Sequence, residues 1–382
     1  MTSHILILGG GFGGLALNSA LAKRVKGSAR VTVIDRKSKF EFAPSFPWLM
    51  IGARKPEQIQ RGLSQLTKRG VAFVQDEVTQ IAPSDHLVKT TANTFQYDYL
   101  VVALGAEYDY QTIPGFERAH HIYDLESAVR FRDELQKFKG GRIAIGVGRT
   151  PFKCPAAPYE AALLIDHQLR KRNIRDRTSI SFFTPEPQPL PSAGPETGGS
   201  ILPLFKDREI EWNPKEKLVK VQDETCVFES GKTIGFDLLF CVPPHKAPPA
   251  VVAAGLTDQT GWVPVDPGTL ETKQEDVNAI GDVTALPTPH GYVPLLAKAG
   301  VFAHGQAETA ARNISMKIEG KRPSEKWNGK GACFLEVGYG KAAYVSGNFL
   351  AEPKPQLNFK TPSRMWHLGK VLFEKYWLWK YF

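Results

Sequence analysis

Short apolar runs, each closed by glycine or an acid, alternate with helix-period segments along most of the chain. Residues 4–8 form one such run, and Gly9, Gly10, Gly11, Phe12, Gly13 and Gly14 follow it. A helix-forming stretch covers 15–23, and a second apolar run over 31–34 ends at Asp35. Runs that are apolar throughout read as parallel strands covered on both faces. Tyr97-Asp98-Tyr99-Leu100-Val101-Val102-Ala103-Leu104-Gly105 and Val277-Asn278-Ala279-Ile280-Gly281-Asp282 repeat the format, and an alanine-rich helix over 297–314 follows the second. Between them a further strand, 142–145, runs into Gly146 and Gly148 ahead of a helix over 159–170. From about residue 316 the pattern changes to short strands (333–337, 342–345) and a terminal helix. The expected fold is α/β, with two Rossmann-like dinucleotide-binding domains and a small C-terminal membrane-associating region. The first domain is discontinuous, made of residues 1–110 and 255–315; the second is 111–254, and 316–382 follow.

The spacing of the first glycine turn carries chemistry. Gly9 permits the tight turn, Gly11 lets backbone approach a pyrophosphate, and Gly14 lets the helix pack on the strand. Asp35, 21 positions after Gly14, is placed to take ribose hydroxyls. The bare glycine pattern is weak; strand, turn, helix, strand and acid together read as dinucleotide binding. Gly105 ends a strand in a small-residue turn of the same cradle. Asp282 either holds the ribityl chain of FAD or caps a turn. The amino terminus of the helix after it faces the flavin edge where reduction places negative charge.

Composition adds limits. Hydrophobic content of 42% and charged content of 23% are those of a globular protein. No apolar run reaches the roughly 20 residues that span a bilayer. The start, Met-Thr-Ser-His, shows no basic or apolar leader, so no Sec signal peptide is expected. The net charge is +9, which suits an anionic membrane, a nucleic acid or an anionic substrate. Four cysteines, Cys154, Cys226, Cys241 and Cys333, are too few for a disulfide scaffold and form no C-x-x-C pair. No metal site is expected, and a single redox pair stays open. Cys226 and Cys241 lie in strand patterns and read as buried, inert thiols.

The second glycine turn departs from its format. The third glycine of a G-x-G-x-x-G loop falls at Pro151, and Cys154 comes three residues later. With the motifs above, Cys154-Pro-Ala-Ala-Pro-Tyr-Glu160, Val242-Pro-Pro-His-Lys-Ala-Pro248, Leu296-Ala-Lys298-Ala-Gly, Cys333-Phe-Leu-Glu-Val-Gly338 and Leu372-Phe-Glu-Lys-Tyr-Trp-Leu-Trp379, the chain resembles the sulfide:quinone oxidoreductases. It also resembles the related flavocytochrome c sulfide dehydrogenases. The FAD motifs are shared by many reductases, so the two cysteine motifs and the tail carry the specificity.

The resemblance implies a sulfide oxidase that uses FAD and passes electrons to a membrane quinone. It makes Cys154 and Cys333 the redox pair, beside the flavin where NADH would otherwise stack. Hydrosulfide would open their disulfide, a reaction that needs a good leaving thiolate. Glu160 is the nearest acid and either accepts a proton or caps its helix. Lys298 matches a family position near the flavin and the quinone; it either steadies the reduced flavin's charge or is solvated. The segments 40–46 and 121–124 lack the cysteine through which some family members attach FAD, so noncovalent FAD is expected. His245, on a loop after a strand, is either a turn residue or a proton relay. A flavocytochrome partner subunit with a cytochrome acceptor is the alternative; a type II NADH:quinone oxidoreductase would need an intact second glycine loop.

Residues 363–382 hold Trp366, Phe373, Tyr376, Trp377, Trp379, Tyr381 and Phe382. Met365, Leu368, Leu372, Tyr376 and Trp379 fall on one helical stripe, which Trp366, Phe373 and Trp377 broaden. Lys360, Arg364, Lys370, Lys375 and Lys380 face one acid, Glu374. Such a segment suits a membrane interface, with a domain or dimer contact as the alternative reading. The expectation is a peripheral membrane protein that uses sulfide and a quinone and no nucleic acid; a homo-oligomer is compatible with it.

Overall fold

The computed structural model describes residues 2–69 and 71–382, with the side chains of 68 and 69 left aside. Its first sheet has five parallel strands in the order Val277–Ala279, Tyr99–Val102, Ser3–Leu8, Ala29–Asp35 and Ala72–Gln75. Ile5, Leu6, Ile7 and Leu8 are fully buried, as a central strand with helices on both faces requires. The strand at 277–279 pairs beside residues 100–102, so the sheet is completed by chain that follows the strands of a second sheet between 141 and 242. Phe12–Arg24 and Gly300–Ile318 pack on each other, and a Cβ on Gly13 would crowd Ile280 at 3.2 Å, so glycine lets the two come close. The first helix begins at Phe12 rather than 15, because its opening turn is made of the loop's own glycines.

The second sheet is also parallel, in the order Ile210–Pro214, Thr178–Thr184, Gly141–Val147 and Leu238–Val242. Ala157–Lys171 packs on it and also against Lys330–Gly338. Lys330–Gly338, Lys341–Asn348 and Gln356–Ser363 form an antiparallel sheet that leads into the terminal helix, Arg364–Tyr381. The Ser363 hydroxyl caps that helix by accepting from Trp366 N at 3.4 Å.

The terminal helix inverts the usual arrangement of faces. Its inner face buries Lys370 and Glu374, at 3% and 0% exposure, together with Trp377 and Tyr381. Its outer face presents Met365, Leu368, Leu372, Tyr376 and Trp379, the last at 74% exposure. Two expectations from the sequence change here. Phe373 and Trp377 turn inward, the first against Phe42 (5.5 Å between ring centroids) and the second against Phe12 (4.6 Å). Trp366 stacks on Tyr344 at 4.4 Å, so the outer stripe is narrower than the sequence predicts. Lys370 points into the protein rather than toward lipid. The reason is that Phe12, Phe40 and Phe42 need a cover, and burying an aromatic of this size contributes about 1.5–3 kcal/mol. Glu374 accepts from Ser45 Oγ at 2.6 Å and Arg54 Nε at 2.9 Å, which fixes the helix to the first domain. Among the described residues no helix is long and apolar enough to cross a membrane.

Candidate active site

The first glycine turn is built around close backbone contacts. A Cβ on Gly14 would lie 1.9 Å from Gly9 O, so the helix meets the strand with no room for a side chain. Gly11, by contrast, opens on empty space, and the helix after it has no side-chain cap. Its free amides and dipole suit a phosphate. Asp35 Oδ2 accepts from Gly10 N at 2.6 Å and Oδ1 from Lys37 N at 2.7 Å, which holds the carboxylate at the strand end. Gly105 stands at φ +71° with open space where a Cβ would be. Asp282 lies on a short turn, and its buried Oδ1 has no partner among the described residues. An orphaned carboxylate oxygen and an uncapped helix start (Ala299 before Gly300) fit the hydroxyls and rings of a bound dinucleotide. The residues present therefore fit FAD.

Lys298 lies just before that helix. Its ammonium donates to Asp282 O at 2.6 Å and Thr284 O at 3.1 Å, and sits 3.4 Å from the Trp262 ring centroid. Burial pulls its pKa down to about 7, against the opposing pull of Asp282.

The loop at 146–154 does not form a phosphate cradle. Pro151 has no N–H to offer, and a Cβ on Gly146 would meet the Phe183 ring at 2.5 Å. The Arg149 guanidinium folds back on the backbone, donating to Gly148 O at 2.7 Å and to Leu218 O. The loop instead carries Cys154 across to the first domain. Cys154 N donates to Lys298 O at 2.7 Å, and Ala157 N to Cys154 O at 2.9 Å. Cys154 adopts φ +53°, a left-handed conformation that a non-glycine residue holds at a cost of order 1–3 kcal/mol. Strain of this kind gathers at functional sites.

Cys333, on the strand Lys330–Gly338, reaches the same place from the C-terminal sheet. Both thiols are free, and the pair interact electrostatically. Burial pushes Cys333 up to about 11, with the Glu160 charge adding and Lys370 opposing. Burial pushes Cys154 further up, with Cys333 and Glu160 adding. Cys333 also lines an apolar chamber of about 660 Å³, part of it open to solvent, with Ile201, Phe302, Val345, Phe349 and Phe359. Cys226 and Cys241 are fully buried in another part of the core.

Around the thiols stand Glu160 and His245, which the sequence singled out, and Glu336, Lys370, Tyr108, Tyr123 and Lys153, which it did not place there. Glu160 is buried and accepts from Lys370 Nζ at 2.6 Å and Glu336 N at 2.8 Å. Burial pushes the Glu160 carboxyl up, while Lys370 draws it back. On the Cys154 side stand Tyr123, Tyr108, Lys153 and His245. The Lys153 ammonium lies over the Tyr108 ring at 5.0 Å, and the His245 ring meets Tyr108 and Tyr123 edge-on at 5.1 and 5.4 Å. Tyr123 OH and His245 Nε2 have no partner among the described residues. Only the spacing of His367, Lys370 and Glu374 on one helical face could have signalled part of this from sequence.

Residues 3–311 match the family described as pyridine nucleotide-disulphide oxidoreductase. The chain is 27% identical over 371 residues to the mitochondrial sulfide:quinone oxidoreductase of Mus musculus, covering 92% of this chain and 79% of that one. It is 28% identical to the sulfide-quinone reductase of Aquifex aeolicus, over 100% of this chain and 91% of the relative. The crystal structure of the Aquifex aeolicus sulfide:quinone oxidoreductase superposes with a TM-score of 0.90 at 26% identity, covering 100% of this chain and 91% of that one.

The histidine in the site gives a pH prediction. His245 Nδ1 lies 2.7 Å from Pro243 O, which only accepts, so Nδ1 carries the proton and Nε2 is bare. Burial pulls this imidazole down to about 3, with Lys153 adding. The unfolded chain, titrating at about 6.5, takes the proton first. His245 therefore contributes stability that is present above pH 6.5 and is lost as pH falls toward 3. At pH 5 the expected loss is about 2 kcal/mol. Urea unfolding at pH 7 and pH 5 checks this: His245→Gln should flatten the fall, and an unchanged fall contradicts the assignment.

Proposed function

Because this chain belongs to the pyridine nucleotide-disulphide oxidoreductase family, we propose that it is a flavin enzyme that oxidises sulfide through Cys154 and Cys333 and passes the electrons to a quinone. The observation that carries this reading is the meeting of two remote thiols where a nucleotide loop has lost its phosphate cradle. In this reading Gly9, Gly11, Gly14, Asp35, Gly105 and Asp282 hold FAD. Bound there, the flavin supplies a two-electron acceptor that a quinone can empty.

The protein's own groups divide the sulfur chemistry. Hydrosulfide attacks one sulfur of the Cys154–Cys333 disulfide; a new S–S bond forms on that cysteine and the other leaves as thiolate. The apolar chamber at Cys333 suits neutral sulfane sulfur, which favours Cys333 as the cysteine that carries it. The Lys370 ammonium draws both thiols down, against the burial that leaves them raised. Glu160 stands ready to take a proton. Lys298 keeps a cation against the Asp282 end of the cradle.

Phe12, Phe42, Phe373 and Trp377 pack ring against ring between the first glycine turn and the terminal helix, and a lipid-soluble quinone would approach along this apolar seam. The inverted faces of that helix fit a peripheral position on a membrane, since its exposed stripe stays in water otherwise.

Anaerobic mixing with sulfide should bleach the visible flavin band, and a quinone should restore it, while NADH has little effect. Cys154→Ser and Cys333→Ser should each keep flavin and lose bleaching by about 100-fold or more; rapid bleaching by NADH alone refutes the reading. The FAD is held without a covalent bond in this proposal, so acid denaturation should release all the yellow colour, and flavin fluorescence left on a denaturing gel counts against it. Replacing the exposed stripe, as in Leu372→Glu with Trp379→Glu, should lower binding to anionic liposomes by about 10-fold or more. Sulfide bleaching in detergent should stay unchanged in that variant; full retention on liposomes removes the helix from membrane docking.

A further inference from the structure

Oxidation of hydrosulfide at a disulfide leaves a proton behind. The S–H bond of the attacking sulfur survives the exchange: the Cys154–Cys333 bond breaks, the new S–S bond forms, and the electron pair departs on the freed thiolate. Hydrosulfide thus yields one sulfane sulfur, one proton and two electrons, and the electrons leave for the quinone. The proton needs its own way out of a site where both thiols are buried enough to resist ionisation.

We infer that Glu160, Lys370, Glu336 and His367 form a relay that carries this proton from the cysteine pair to the surface at His367. This rests on the reading of Cys154 and Cys333 given above. Glu160 is the acid nearest in charge to both thiols and lies 2.6 Å from Lys370 Nζ. Lys370 faces Glu160, Glu336 and Cys333, with the Trp48 ring 5.0 Å away. Glu336 is joined to Glu160 through its own backbone amide, at 2.8 Å. His367 Nδ1 then lies 3.0 Å from both oxygens of Glu336 and meets Trp48 edge-on at 5.7 Å. Tyr123 and both thiols also face Glu160.

Exposure rises only at the last member. The side chains of Glu160, Lys370 and Glu336 are 3%, 4% and 2% exposed, and His367 is 34% exposed. An ion pair that served packing alone would be complete with Glu160 and Lys370. A second buried carboxylate raises the desolvation cost unless it has a use. Here its carboxylate feels the Lys370 charge on one side and holds an imidazole at water on the other, a side chain suited to proton exchange. His367 and Lys370 lie one helical turn apart, so the terminal helix supplies two members and holds their spacing.

The test is stopped-flow reduction of detergent-solubilised, FAD-loaded enzyme by sulfide. His367→Ala should keep its flavin and slow bleaching by about 10-fold or more, and added imidazole should restore at least half the rate. Glu336→Gln, which can still hydrogen-bond His367, should slow the same step. Reoxidation of the reduced enzyme by a short-chain quinone should be unchanged in both. Wild-type rates in His367→Ala, slowing that imidazole does not restore, or a defect confined to reoxidation each overturn the relay. Wild-type enzyme that sulfide fails to bleach overturns the sulfide reading itself and is told apart by that control.

Discussion

The contact between Lys370 and Glu160 is the constraint on which the site depends. Two opposite charges, both nearly sealed from water, cost several kcal/mol each to desolvate and recover it only in good geometry. The geometry is good: Glu160 also takes a backbone amide, and Lys370 also faces a second carboxylate and an indole ring. Because one partner sits on the helix Ala157–Lys171, just after Cys154, and the other on the terminal helix, the pair fixes the C-terminal region against the second sheet's helix. Cys333 is delivered to Cys154 by the same docking. Loss of either charge would leave its partner buried alone, which is the expensive case, so the two cysteines are held together by a lock that fails as a unit.

The terminal helix shows how one element serves two environments. Its charged residues go where a water-soluble helix would put leucine, and its apolar residues go where such a helix would put lysine. The inner charges are affordable because each meets a partner: Lys370 meets Glu160, and Glu374 meets Ser45 and Arg54. The outer face has no such partner among the described residues. An apolar surface of that size next to a cationic rim is costly in water and cheap against lipid.

Much of the α/β architecture was legible because its signals are local. Apolar runs closed by glycine or an acid mark the parallel strands at 3–8, 29–35, 99–102 and 277–279, and glycine spacing marks the first turn. The helix after it was misjudged at its start, since glycine has low helix propensity yet here opens the helix for packing reasons. The inward turn of Lys370, Phe373 and Trp377 was not legible. Periodicity divides a helix into faces but does not say which face meets protein. Tyr123, Lys153 and His245 lie on different segments and come together only through the fold. Glu336 sits in a strand of alternating pattern, where nothing marks it as a neighbour of His367 until the terminal helix is docked.

The strand Val277–Ala279 completes a sheet whose other members all belong to the first hundred or so residues. During synthesis the glycine turn, Asp35 and Gly105 are thus made long before Asp282 and the helix that closes over them. An amino-terminal half-sheet must wait with an unpaired edge while the second domain forms, which is the kind of exposed strand that invites mispairing. Closure of the first sheet, arrival of Cys333 and attachment of the last helix consequently fall late, and close together, in the birth of the molecule. A chain cut anywhere before its final sheet lacks Cys333, Glu336 and Lys370 together, because the same closing stretch carries all three.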